Sequence, residues 1–141
     1  MASLETYRES SFVAFCNSTL EQFLQETPGV KNVLLATPDG FEIASKTLDS
    51  AHSADKLAAV GSSLFALGAS LISEFNLDVC RSIIIDSEKG KIYISAISGG
   101  ESKNLILLLQ STQNAMLAHI LHGSNKVAGY ISERLAQLPA A

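Results

Sequence analysis

The chain has 141 residues, 47% of them hydrophobic, and a formal net charge of −4. A single domain of that length buries about 68 to 70% of its unfolded surface, so it needs neither a disulfide nor a metal to hold it together. Lysine and arginine are scattered through a net acidic chain, which argues against nucleic acid as a partner. No uninterrupted apolar run approaches the ~18 to 20 residues that span a bilayer.

In chain order, Thr6 and Glu9 have capping-box spacing, and Phe12, Phe15, Cys16, Leu20, Phe23 and Leu24 then recur at helical intervals. They predict a first helix that stops at Thr27-Pro28-Gly29. Two strands follow, residues 30–37 and 41–46, around the turn Pro38-Asp39-Gly40. A polar connection, LDSAHS, leads to a long helix from Ser53 to Phe75. Three strands over residues 79–86, 91–97 and 103–110 read as an antiparallel meander with turns at Ser87-Glu88-Lys89-Gly90 and Ser98-Gly99-Gly100-Glu101. Leu117, Ile120, Leu121, Ser124, Ala128, Ile131 and Leu135 mark the stripe of a closing helix before a short Leu-Pro-Ala-Ala tail.

The order α-β-β-α-β-β-β-α describes one α/β (α+β) domain over residues 1–141, without repeats or a dividing linker. Residues 33–36 and 105–109 are apolar without alternation, so their strands must be covered on both faces, and helices belong on both sides of the sheet. Residues 79–86 carry Cys80, Arg81 and Ser82 among isoleucines, which suits an edge strand open to pairing.

The long central helix carries more apolar surface than one core accepts. Its apolar and small side chains span an arc of roughly 180°, against the ~100° stripe of a half-buried helix. Leu57, Leu64, Leu71 and Phe75 lie toward one side, Ala54, Ala58, Phe65 and Ile72 toward the other, with Gly61 and Gly68 between. Each glycine costs about 1 kcal/mol against alanine inside a helix, which implies close backbone approach. Two contacts are expected, one intramolecular and one with another chain. Pairing of the open strand beside this helix would give a twofold homodimer, with Ala54, Ala58, Gly61, Phe65, Gly68 and Ile72 of the helix and Arg81, Ile83 and Ile85 of the strand in the seam. The helix's polar flank, Asp55, Lys56, Ser62 and Ser63, then remains for a second partner.

Catalytic patterns are absent from the sequence: it has no GxSxG, HExxH or GxGxxG. His119 and His122 are half of a metal site, and neither Glu101 nor Glu133 is a convincing third ligand, so no metal and no cofactor are expected. The segment Ser98-Gly99-Gly100-Glu101-Ser102-Lys103 lacks phosphate-loop spacing and precedes a strand, so it reads as a hairpin turn. Arg8, Arg81 and Arg134 sit on no obvious mobile loop. Cys16 and Cys80 read as buried free thiols, and Glu5 and Glu9 occupy the stretch where a signal peptide would be basic, so a cytoplasmic setting is expected.

Pro28-Gly29-Val30 leading into a strand, the hairpin Ala36-Thr37-Pro38-Asp39-Gly40-Phe41-Glu42-Ile43-Ala44 and the helix segment Leu57-Ala58-Ala59-Val60-Gly61 resemble the roadblock family, of the dynein light-chain roadblock type that includes bacterial MglB-like GTPase regulators. The resemblance covers about residues 8–136. It implies a profilin-like or longin-like sandwich, with a five-stranded antiparallel sheet, one helix on one face and two on the other. It also implies a homodimer with central helices packed together and the first meander strands paired into a continuous sheet. Its members scaffold or regulate Ras-like small GTPases, some of them accelerating hydrolysis. On this basis the chain is expected to be a non-catalytic adaptor of such a GTPase, with any activation achieved without an arginine finger. The alternatives are a PAS-like small-molecule sensor, which requires a roomy cavity with convergent polar groups, and a standalone enzyme, for which no acid, base and nucleophile come together.

Overall fold

A computed structural model describes residues 3–48, 53–100 and 102–139. The connection at 49–52, Glu101 and the last two alanines lie outside the described residues. The elements are α1 (Leu4–Tyr7), α2 (Ser10–Glu26), β1 (Val30–Ala36), β2 (Glu42–Thr47), α3 (Ala54–Glu74), β3 (Ser82–Ser87), β4 (Gly90–Ser98), β5 (Asn104–Thr112) and α4 (Leu117–Ala136). The strands form one antiparallel sheet in the order β2-β1-β5-β4-β3, so β3 is an edge, as its mixed composition predicts.

The amino terminus departs from the expected capping box. Ser3, not Thr6, caps the single turn α1, accepting from the Thr6 amide. Glu9 is itself the N-cap of α2, its carboxylate accepting from the amides of Ser11 at 2.7 Å and Phe12 at 3.3 Å. Two short caps in succession break what the spacing presents as one helix start. Tyr7 ties α1 to the sheet end, donating from its hydroxyl to the Ser102 carbonyl and accepting from the Asn104 amide.

Strand alternation sorts the core into two layers. Val33 and Leu35 of β1 and Leu105, Leu107 and Leu109 of β5 face α2 and α4, meeting Phe12, Cys16, Leu20, Ile120, Ile131 and Leu135. Leu34 and Ala36 of β1, Ile94 of β4 and Ile106 and Leu108 of β5 face α3 alone, around Ala58. The unbroken apolar runs in the sequence are thus strands covered on both faces, by two helices on one side and one on the other. At the end of α4, the Lys103 ammonium donates to the carbonyls of Ala136 and Leu138, offsetting the helix's unsatisfied C-terminal acceptors.

On the α3 side, the Asn32 side chain bridges the Gln110 side chain and the Thr47 hydroxyl across β5, β1 and β2. This polar rung pins the register of three strands. The β1–β2 turn closes through Gly40 N–H to the Thr37 carbonyl at 3.0 Å and Thr37 N–H to the Phe41 carbonyl at 2.9 Å.

Candidate interaction surface

α3 crosses the sheet as a single covering layer, and its phase decides what is left for a partner. Glycine notches fix that phase. A Cβ on Gly61 would lie 2.3 Å from Leu108 Cδ1, and one on Gly68 would lie 2.5 Å from Ile83 Cδ1, so both glycines are filled by sheet side chains. The buried Ser62 hydroxyl donates to the Thr37 carbonyl at 2.9 Å, tying the helix to the β1–β2 hairpin.

These contacts correct the expected partition of the helix. Ala58, Gly61 and Ser62 are buried against the sheet, and Phe65 packs on the same inner layer. Ala54, Gly68 and Ile72 are partly covered in phase with them. The small-residue side assigned to a second chain is therefore the intramolecular side. Small residues allow close approach to a sheet as readily as to another helix, so composition alone did not separate the two. Ser62 likewise leaves the outward polar flank, where Asp55, Lys56 and Ser63 are exposed.

The surplus apolar arc is real and lies on the other side. Val60, Leu67, Leu71 and Phe75 are 59%, 68%, 60% and 69% exposed, at spacings that place them along one side of α3. The sequence arc contains Leu71 and Phe75 but not Val60 and Leu67, whose seven-residue spacing is the usable signal.

The stripe continues past the helix end. Asn76 takes a left-handed conformation (φ 56°) at the position where a helix reverses, with Asn76 N–H bonded to the Ser73 carbonyl and Leu77 N–H to the Ile72 carbonyl. This is the Schellman pairing, with asparagine in the place glycine usually takes. Asp78 is also left-handed (φ 73°), and the turn presents exposed Leu77 and Val79.

β3 lies alongside and pairs with β4 only. It begins at Ser82 rather than Val79, and Arg81 is exposed just ahead of it, its carbonyl accepting from the Ala96 amide. Ile83 and Ile85 share the α3 face of the sheet, Ile83 partly covered by the helix and Ile85 exposed; Ile84 is exposed on the opposite face. An apolar helix side, an apolar turn and an open edge strand thus adjoin one another.

By length and composition α3 also suffices to cross a membrane, with a mean hydropathy of 1.5 over its best window. Small residues and serines interrupt its apolar run, so no uninterrupted run reaches span length, yet they do not lower its mean far. In the fold this helix seats its glycine side on the sheet.

Burial pushes the Cys16 thiol up to about 12, which suppresses the reactive thiolate. Cys80 is only partly buried, against the expectation of two buried thiols. Hydrogen bonds from the Ser11 hydroxyl and amide hold the Glu9 carboxyl below its ordinary value. Both shifts belong to packing and capping. Among the described residues no three or more His, Cys, Asp or Glu gather into a possible metal site, and His119 and His122 are exposed on α4. Arg8 donates to the Glu42 carbonyl at 2.8 Å, and the Arg134 guanidinium stacks 4.4 Å above the Phe15 ring.

A five-stranded antiparallel sheet under two helices on one face and one on the other is a profilin/longin-like α+β sandwich. Acanthamoeba castellanii profilin IB superimposes on it with a TM-score of 0.59 at 12% identity, over 84% of this chain and 97% of that one. Myxococcus xanthus MglB superimposes with a TM-score of 0.84 at 14% identity, over 94% and 96% of the two chains. An MglB structure with tetrameric arrangement gives 0.79 at 21% identity, over 92% and 93%. No curated protein matches the chain by sequence. The Roadblock/LC7 domain family model matches residues 17–111, and the chain belongs to that family.

Proposed function

We propose that this roadblock protein is a homodimeric, non-catalytic adaptor of a Ras-like small GTPase in the cytoplasm. The observation that carries the reading is the uncovered side of α3, where Val60, Leu67, Leu71 and Phe75 are each more than half exposed beside an unpaired strand edge. A second copy covers that side and pairs β3 with β3, which also removes the aggregation hazard of an isoleucine-bearing edge. An MglB structure with a tetrameric arrangement supports self-association in related folds. The GTPase docks beside the paired helices, on the flank formed by Asp55, Lys56 and Ser63.

Stimulated hydrolysis, where it occurs, comes from selecting a hydrolysis-competent state of the GTPase, limited by the difference in binding between its states. No arginine finger is required: Arg8 and Arg134 are already engaged within the fold, and Arg81 belongs to the seam between copies.

Light-scattering mass, combined with GTP turnover by a small GTPase from the same cell, tests the reading. A dimer at micromolar concentration and nucleotide-dependent capture are expected, with Arg81→Ala leaving any stimulation intact. A monodisperse monomer that captures no GTPase in either nucleotide state overturns it, and loss of stimulation in an Arg81→Ala protein that keeps the dimer mass replaces state selection with a finger mechanism.

A further inference from the structure

We infer that the outer groove between α2 and α4 is a binding site for a small amphipathic organic anion. The groove measures about 600 Å³, within the range of small-ligand sites, and lies outside the sandwich, whose interior is filled. It is remote from the α3 surface and independent of the adaptor reading.

Its floor is apolar and closed. Phe15 and Phe23 of α2 face Val127 of α4, and the helices touch at Gly123, where a Cβ would come 2.6 Å from Phe23 Cε1. An aromatic or short acyl body fits such a floor.

The two walls differ in charge, which orients the ligand. On the α4 wall, His119, His122 and Lys126 follow at i, i+3 and i+7 and so share one side of the helix. No side-chain hydrogen bond or ion pair engages any of the three among the described residues. On the α2 wall the Gln22 amide donates to the Glu26 carboxylate at 2.8 Å and the Thr19 hydroxyl donates to the Phe15 carbonyl at 2.8 Å, so these groups are already engaged. Glu26 also stands in the last turn of α2, where the helix's own negative end repels an anion. The anionic group therefore sits on the α4 wall, with Lys126 as counter-charge and the imidazoles as donors.

The test is an amide-resolved NMR titration of the full chain with 1-naphthaleneacetate and, in parallel, its neutral amide. Saturable shifts at Phe15, Gly123 and Val127 are expected, with the carboxylate about tenfold tighter than the amide, equivalent to roughly 1.4 kcal/mol. Lys126→Glu and Lys126→Gln both weaken the carboxylate, Glu26→Gln strengthens it, and Leu67→Glu on α3 leaves it unchanged. Equal affinity for acid and amide, shifts confined to Val60, Leu67 and Leu71, or no saturable shift at millimolar probe overturns the inference.

Discussion

The Ser62 hydroxyl donates to the Thr37 carbonyl across 2.9 Å of buried space, reinforcing the rotation of α3 on the sheet that the Gly61 and Gly68 notches fix. A hydrogen bond of this kind contributes about 0.5 to 1.5 kcal/mol, and Ser62→Ala should lower stability by that amount in urea unfolding. The apolar side of α3 is untouched, so the self-association constant of Ser62→Ala should equal that of the parent. A drop in association without a drop in stability would return Ser62 to the outer surface.

Gly61 sits over Leu108, and their coupling is measurable. Alanine at 61 gains about 1 kcal/mol of helix propensity but places its methyl 2.3 Å from Leu108 Cδ1, an overpacking that costs about 1 to 3 kcal/mol. Gly61→Ala should therefore be neutral to destabilising. Leu108→Val removes the offending reach, so the double variant should be about 1 kcal/mol more stable than the two single effects predict. Strict additivity would mean that Leu108 does not fill the notch.

The pattern of strands and helices is legible because each element carries its own period and is bounded by strong turn residues, as with Pro38-Asp39-Gly40 between β1 and β2. The surplus apolar arc of α3 is legible too, since arc width is a property of the helix alone. Its phase is not. Whether Ala58 and Gly61 face a sheet or a second helix depends on Leu108 and Ile83, which are distant in sequence and reach the notches only after the sheet has formed. The late start of β3 has a similar cause: register pairs Ser82 with Ser95, and beyond that rung the ladder ends with the Arg81 carbonyl, which accepts from the Ala96 amide. The α2–α4 groove is not legible in the sequence because its basic side on α4 and its aromatic floor on α2 come from opposite ends of the chain.

The Glu9 cap should give the protein a pH-dependent increment of stability. Its carboxyl is held below the ordinary value by hydrogen bonds from Ser11, so the charged form is favoured in the folded state. The increment is therefore fully present above the unfolded carboxylate pKa, about 4.3, and is lost as pH falls through the depressed folded value. Glu9→Ala should be less stable than the parent at pH 7, and the gap should narrow on acidification. A gap that is constant with pH would show that the cap acts without its charge.

Cys16 and Cys80 should behave oppositely toward alkylation. Cys16 is completely buried with its thiol pushed up to about 12, whereas Cys80 is partly open. Iodoacetamide at mild alkaline pH should modify Cys80 in the native protein and Cys16 only after unfolding, as read by mass spectrometry. The raised value also makes the folded state hold its proton longer, so the contribution of Cys16 to stability is complete below its unfolded pKa and declines as pH climbs toward 12. Rapid native labelling of Cys16 would place it outside the core.

Phe65 and Leu67 stand two residues apart on α3 and should fail in different ways when charged. Phe65 packs on the inner layer with Ile94 and Leu108, so Phe65→Glu forces a carboxylate against the sheet and should cost at least about 2 kcal/mol of folding stability. Leu67 is 68% exposed, and glutamate there is solvated in the monomer. Leu67→Glu should leave the unfolding free energy of the monomer within about 0.5 kcal/mol of the parent, as for most surface substitutions. In a homodimer it would bury two like charges across the twofold seam, so the mass by light scattering should fall to that of one chain. Were Leu67→Glu to stay dimeric while Phe65→Glu dissociated with its fold intact, the outer side of α3 would not be the seam, and the small-residue side would have to leave the sheet to form it.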